Sequence, residues 1–243
     1  MGSYTWWGLA PIYWKLLDGV APIDTAGHRT VWTLLSLAVV HTVRGSWPSV
    51  RRSARSSKNR RTVVLTGALL SVNWLTFLYA VDADRVVEAS LGYFINPLVS
   101  VVLGVIILGE RLRPIQWMAV ALAASGVAWL WVQVGAVPWV ALTLAGTFGL
   151  YGLLRKTADF DSLDGLTMES TLMAGPWVLV LAWRWNDTAP VFGSGSLLDL
   201  LLIAGTGVVT AVPLLLFAAG ARRVPLSAMG LFQYLAPTLQ LLL

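Results

Sequence analysis

The apolar residues of this chain come in runs of about 18 to 24 separated by short polar gaps, the spacing of helices that cross a bilayer. Read as apolar windows, these runs predict nine segments: 4 to 20, 27 to 43, 62 to 81, 86 to 109, 115 to 134, 137 to 154, 166 to 185, 197 to 219, and 226 to the end. The first begins at Tyr4 with no basic lead and no small-residue cleavage pattern, so it is expected to persist as a helix. The longest connection, "RGSWPSVRRSARSSKNRR" from Arg44 to Arg61, is expected to be a basic loop.

Composition supports the same class. Of 243 residues, 57% are hydrophobic and 12% charged, with a mean hydropathy of +0.72. A soluble domain of this length carries roughly twice that charge, so an all-α integral membrane protein is expected. The lack of cysteine excludes disulfides, thiolate metal sites and cysteine nucleophiles. No Walker loop, strand-borne GxGxxG, GxSxG elbow or HExxH occurs, so no cofactor and no metal is expected, and neither nucleotide-driven transport nor the common hydrolase chemistries find support.

Charge then orients the spans. The connection from Arg44 to Arg61 holds Arg44, Arg51, Arg52, Arg55, Lys58, Arg60 and Arg61 with no acid, and basic loops stay cytoplasmic. This predicts a cytoplasmic N-terminus and places thirteen of the seventeen basic residues on one side; Lys15, Arg29, Arg85 and Arg184 fall elsewhere. Topology and anionic headgroups account for the charge, so no nucleic-acid partner is expected.

An internal repeat runs through the chain. A shift of 140 residues sets Phe77 on Phe217, Leu91 on Leu231 and Pro97 on Pro237; a shift of 141 sets "WGLAPIYWK" from Trp7 on "FGLYGLLRK" from Phe148. The expected organisation is a first five-helix repeat over 1–134 and a second, incomplete one over 135–243. An odd number of helices per copy inverts the second copy, and inverted repeats characterise transporters that alternate access about a central site. The chain stops inside an apolar run, so the rest of the ninth helix and all of a tenth, about thirty residues by the repeat arithmetic, are expected beyond Leu243, and with only "MGS" before the first helix a clipped start is expected as well.

Polar residues inside such spans turn toward the bundle or a wet cavity. Along the fourth span Glu88, Gly92, Asn96, Ser100 and Gly104 recur every fourth position and form one stripe. Gly92, Ser100 and Gly104 suit close packing, whereas Asn96 suits either an interhelical hydrogen bond or a ligand. Pro97 frees the carbonyl of Tyr93 one turn back, and Pro237 repeats that break near Gln233 and Tyr234. Glu88 complements a helix dipole or carries a proton or substrate cation. Lys15 snorkels or serves as a counter-charge, and Asn73 faces the same choice as Asn96. His28 and Arg29 are read as opening the second span, as interfacial anchors or at a cavity mouth. Asp164 is expected to cap the seventh span, with Glu169 at its start. Trp6, Trp7, Tyr13 and Trp74 suit an apolar or aromatic cavity.

Several runs then show a resemblance. "NWLTFLYAV", "EASLGYFINPL", "LGER", "QWMAV", "YGLLRK", "LFQYLAPTL" and "GHRTVW" resemble the RarD group of the EamA family, within the drug/metabolite transporter superfamily. The resemblance implies ten helices in two inverted five-helix halves around a central cavity in a bacterial inner membrane, of which this chain covers about nine. The expected function is a secondary transporter, an exporter of small metabolites or drugs, whose partners are a small-molecule substrate, the lipid bilayer and protons. Alternatives are an intramembrane lipid-modifying enzyme, or a sensor or assembly subunit; no oligomeric state is implied.

Overall fold

A computed structural model describes residues 1–17, 20–134, 137–186 and 196–243. Among these residues there are helices and no strands. The order is α1 (Gly2–Trp14), extended by a 3-10 turn over Lys15–Leu17, then α2 (Pro22–Arg44), α3 (Trp47–Arg55), α4 (Ser57–Asp82), α5 (Val86–Ile106) and α6 (Pro114–Val134). There follow α7 (Trp139–Thr157), α8 (Ser162–Trp183), α9 (Leu197–Ala221), α10 (Leu226–Gln233) and α11 (Leu235–Leu241). Five of them, α4, α5, α6, α8 and α9, are long and apolar enough to cross a membrane. Of the rest, α1 has 13 residues and α2 has 23 but carries Asp24, His28, Arg29, His41 and Arg44.

Four expectations are corrected. The basic connection is no loop, because Pro48 sits in the first turn of α3 and α4 starts directly behind it at Ser57. The second span begins at Pro22, so His28 and Arg29 lie in its second turn and Asp24 holds the first. The cap of α8 is Asp161, whose carboxylate accepts from the Asp164 N–H at 2.7 Å, and Glu169 is fully buried inside the helix rather than at its end. The last span is broken at Tyr234 into α10 and α11, since Pro237 offers no N–H to the Gln233 carbonyl four residues back.

Two left-handed glycines shape the turns. Gly45 (φ 62°) ends α2 and lets the Ser46 N–H reach the His41 carbonyl at 2.9 Å. Gly109 (φ 65°) does the same after α5, where the Glu110 N–H returns to the Gly104 carbonyl at 3.0 Å. The glycine of "LGER" therefore closes a helix and aims the glutamate that follows.

The helices group into two compact units. The first comprises Met1–Gly8, Ala68–Thr157 and Ala218–Leu243, and its centre is α5 packed on α7 and α10. Small residues bring α5 close to α7: a Cβ added at Gly92 would sit 3.1 Å from the Ala141 carbonyl oxygen, beside the buried set Leu91, Ile95, Ala141 and Ala145. The second unit comprises Leu9–Gly67 and Ala158–Phe217, with α2 and α3 packed on α8.

Candidate functional site

In the first unit α5 and α10 cross with their backbones in contact. A Cβ at Gly230 would lie 2.6 Å from the Pro97 carbonyl oxygen and 3.1 Å from the Ser100 side chain. The Tyr234 hydroxyl donates to the Phe94 carbonyl at 3.1 Å, so Gln233 is bracketed opposite residues 94 to 97 of α5. Asn96 and Gln233 are both buried, at 9% and 7% exposure, and the amide oxygens Oδ1 and Oε1 accept no hydrogen bond among the described residues. In a bilayer such an unpaired oxygen costs several kcal/mol. Gln233 faces the Tyr4 hydroxyl, and a line of rings runs from Tyr4 through Trp7 and Phe148 to Tyr151 with centroid spacings of 5.9, 5.6 and 5.7 Å.

The remaining predicted residues separate. Despite Pro97, α5 runs unbroken, whereas Pro237 does end α10. Asn73 is committed to structure, its amide donating to the Leu144 carbonyl and the Thr147 hydroxyl, each at 2.9 Å. Glu88 pairs through Oε1 with the Arg85 guanidinium at 2.6 Å, which also lies over the Trp139 ring, while Glu88 Oε2 is buried with no hydrogen-bond partner among the described residues. Tyr93 is half exposed and meets Phe77 edge-on. Lys15 is exposed in the turn after α1.

In the second unit His28 is buried in the wall of an apolar hollow of about 330 Å³, with Val31, Trp32, Leu35, Val178, Leu181 and Trp185. Arg29 is half-buried beside it in sequence. One turn earlier, the buried Asp24 carboxylate accepts two hydrogen bonds from Arg184, at 2.8 and 3.2 Å.

Other well-placed polar groups escaped the sequence reading. Glu110 receives the Leu226 N–H at 2.7 Å, the Ser227 N–H at 2.8 Å and the Ser227 hydroxyl at 2.7 Å, which caps α10; Lys156 stands 3.7 Å away. Burial pushes the Glu110 carboxyl up, but the Ser227 and Leu226 hydrogen bonds and the Lys156 cation outweigh it and hold the group below its usual range. Lys156 donates in turn to the Ala221 and Val224 carbonyls. His41 is fully buried between Ser46 at 2.8 Å and Thr167 at 3.0 Å. Thr167 spends its own hydrogen on the Leu163 carbonyl, so His41 Nε2 donates to it, and Nδ1 pairs with the Ser46 hydroxyl. The spacing of "HTVRGS" carries no hint of Thr167, 126 residues away.

Long apolar helices joined by short connections describe a multi-pass membrane protein, and the comparisons with known proteins give its class. Residues 1–132 match the EamA-like transporter family. Protein RarD of Escherichia coli (strain K12) is 40% identical over 100% of this chain and 82% of its own length. An uncharacterized transporter of Vibrio cholerae is 43% identical over 100% of this chain and 80% of its own. The chloramphenicol-sensitive protein RarD of Pseudomonas aeruginosa is 30% identical over 94% and 77%. A crystal structure sharing 19% identity superposes with a TM-score of 0.73 over 99% of this chain and 83% of the other, which establishes the common fold. The chain belongs to the EamA-like transporter family and, within the drug/metabolite transporter superfamily, to its RarD group. It is a membrane transporter and not an enzyme, and it takes a small-molecule substrate.

Proposed function

We propose that this protein is a secondary transporter of a bacterial inner membrane that exports small metabolites or drugs. Two inverted five-helix halves, 1–134 and 135–243, expose the site to either side in turn, with the N-terminus in the cytoplasm. The observation that carries the reading is the pair of buried amide oxygens, Asn96 and Gln233, at the α5–α10 crossing. Ligand groups complete their hydrogen bonding, with Tyr4, Trp7 and Tyr234 as aromatic walls. Pro97 and Pro237 hold the two helices at the crossing, and Tyr93 lies on the outer face of α5. Glu88 carries the coupling proton on the carboxylate oxygen that Arg85 does not engage, and His28, Arg29 and Lys15 belong to the second unit.

The test is flux in proteoliposomes with and without a pH gradient. Chloramphenicol is the first probe, because one relative is named for sensitivity to it, followed by a panel of amino acids and nucleosides. Asn96→Ala should reduce flux at least tenfold, and Glu88→Gln should abolish its dependence on the gradient. An absence of flux for the whole panel overturns the reading, and undiminished gradient-driven flux in Glu88→Gln removes that residue's role.

A further inference from the structure

The second unit carries a cationic surface that the proposed transport reading does not use. Each residue of a helix turns by about 100°, so Arg51, Arg55 and Arg52 fall within roughly 100° of arc on α3. Ser49, Ser53, Val50 and Ala54 occupy the opposite face, which packs toward α8. There the Ser49 and Ser53 hydroxyls donate to Asp164 Oδ2 at 2.6 and 3.1 Å. The other end of α3 is pinned by Trp47, whose indole donates to Thr42 at 3.1 Å and whose ring lies 5.2 Å from that of His41. Arg44 ends α2, and Arg60 and Arg61 lie in the first turn and a half of α4; all three are exposed. Lys58 is paired with Asp159 at 2.6 Å, and these six arginines have no acidic partner among the described residues.

Position and chemistry choose the partner. Here α2 ends and α4 begins, and α4 is long and apolar enough to cross the bilayer, so the arginines stand at headgroup depth. Guanidinium groups bind phosphate oxygens as a planar fork, and six of the seven cations in the stretch are arginine. A nucleic acid would call for exposed rings on which bases stack. The only aromatic residue between Arg44 and Arg61, Trp47, is turned against His41. We propose that the arginine face of α3, flanked by Arg44, Arg60 and Arg61, is a binding site for the phosphate headgroups of anionic phospholipids. Through Ser49, Ser53 and Asp164, an occupied site steadies the start of α8.

The full chain in neutral detergent, titrated with dioctanoyl phosphatidylglycerol and with dioctanoyl phosphatidylcholine, tests this by thermal shift. The anionic lipid should bind and stabilise in a salt-sensitive way, and the zwitterionic lipid should not. Arg51→Gln/Arg52→Gln/Arg55→Gln should weaken the anionic lipid by about fivefold per arginine, on the order of a hundredfold together. The same three positions changed to lysine should keep most of the binding; equal loss in that variant would mean a structural role and overturn the proposal. So would equal binding of both lipids, glycerol 1-phosphate binding as tightly as the lipid, or an RNA oligonucleotide displacing the lipid at equal charge.

Discussion

The Tyr234 hydroxyl donates to the Phe94 carbonyl across 3.1 Å, joining two residues that stand 140 positions apart. That interval is the shift that brings the two halves of the sequence into register. Trp7 and Phe148, equivalent at a shift of 141, also touch, with centroids 5.6 Å apart. Under the two-half organisation proposed above, equivalent residues meet only near the axis relating the halves. The axis then passes both contacts, beside Gln233. The surroundings are nevertheless unequal, because Asn96 corresponds to Ala236 and only one of the paired rings carries a hydroxyl.

Asn96 should trade stability against transport. Its Oδ1 accepts no hydrogen bond among the described residues, so replacing the amide by an apolar group of similar volume removes a desolvation penalty without removing a partner. Asn96→Leu is expected to leave the detergent melting temperature unchanged or raised while flux falls at least tenfold. A fall in both would show that the amide is structural.

Gly230 should tolerate no side chain. With the Pro97 oxygen 2.6 Å from a new Cβ, Gly230→Ala must push α10 off α5, and overpacking of this kind costs about 1–3 kcal/mol. Tyr234→Phe, which removes one hydrogen bond and keeps the ring, should cost only about 0.5–1.5 kcal/mol. Reversible denaturant unfolding in mixed micelles would rank the two, and equal losses would contradict the close crossing.

The long helices were legible because lipid demands apolar runs, and α5 is close to the run that predicts it. The basic stretch was misread because charge density outweighed a helical signal already present: Ser49 and Ser53, one turn apart, mark a face. Pro97 and Pro237 show the limit of a local rule. Both remove the same bond, but α5 is buried against α7 and α10 and stays unbroken, whereas α11 ends at the largely exposed Leu241. The role of Glu110 was hidden for another reason. Its partners, Leu226 and Ser227, lie 116 and 117 residues away, and no local pattern reports on them.

Asp24 and Arg184 should behave as a coupled pair. The carboxylate is 3% exposed and its partner approaches with two nitrogens, so removing the arginine leaves a buried charge alone. Arg184→Gln is expected to destabilise by about 3 kcal/mol, and Asp24→Asn/Arg184→Gln by less than the sum of the single changes. A double-mutant cycle on thermal unfolding measures the coupling, and strict additivity would deny it.

Glu110 makes a prediction in pH. Its carboxyl is held below the ordinary value of 4.5, so the folded state prefers the ionised form more strongly than the unfolded state does. The stability it contributes is therefore fully present above that value and drains away as pH falls through it toward the lower, folded value. Glu110→Gln keeps the shape but loses the charge at the α10 N-terminus. It should lower the melting temperature at pH 7, and the gap to the unmodified protein should narrow as the buffer is brought below pH 4.5. Lys156→Met should reproduce part of the effect, because the lysine is the cation 3.7 Å from the carboxylate. Thermal unfolding of the three proteins across pH 3.5 to 7 reads the difference directly, at about one protonation event. A constant gap across that range would mean that Glu110 stabilises the turn by shape alone.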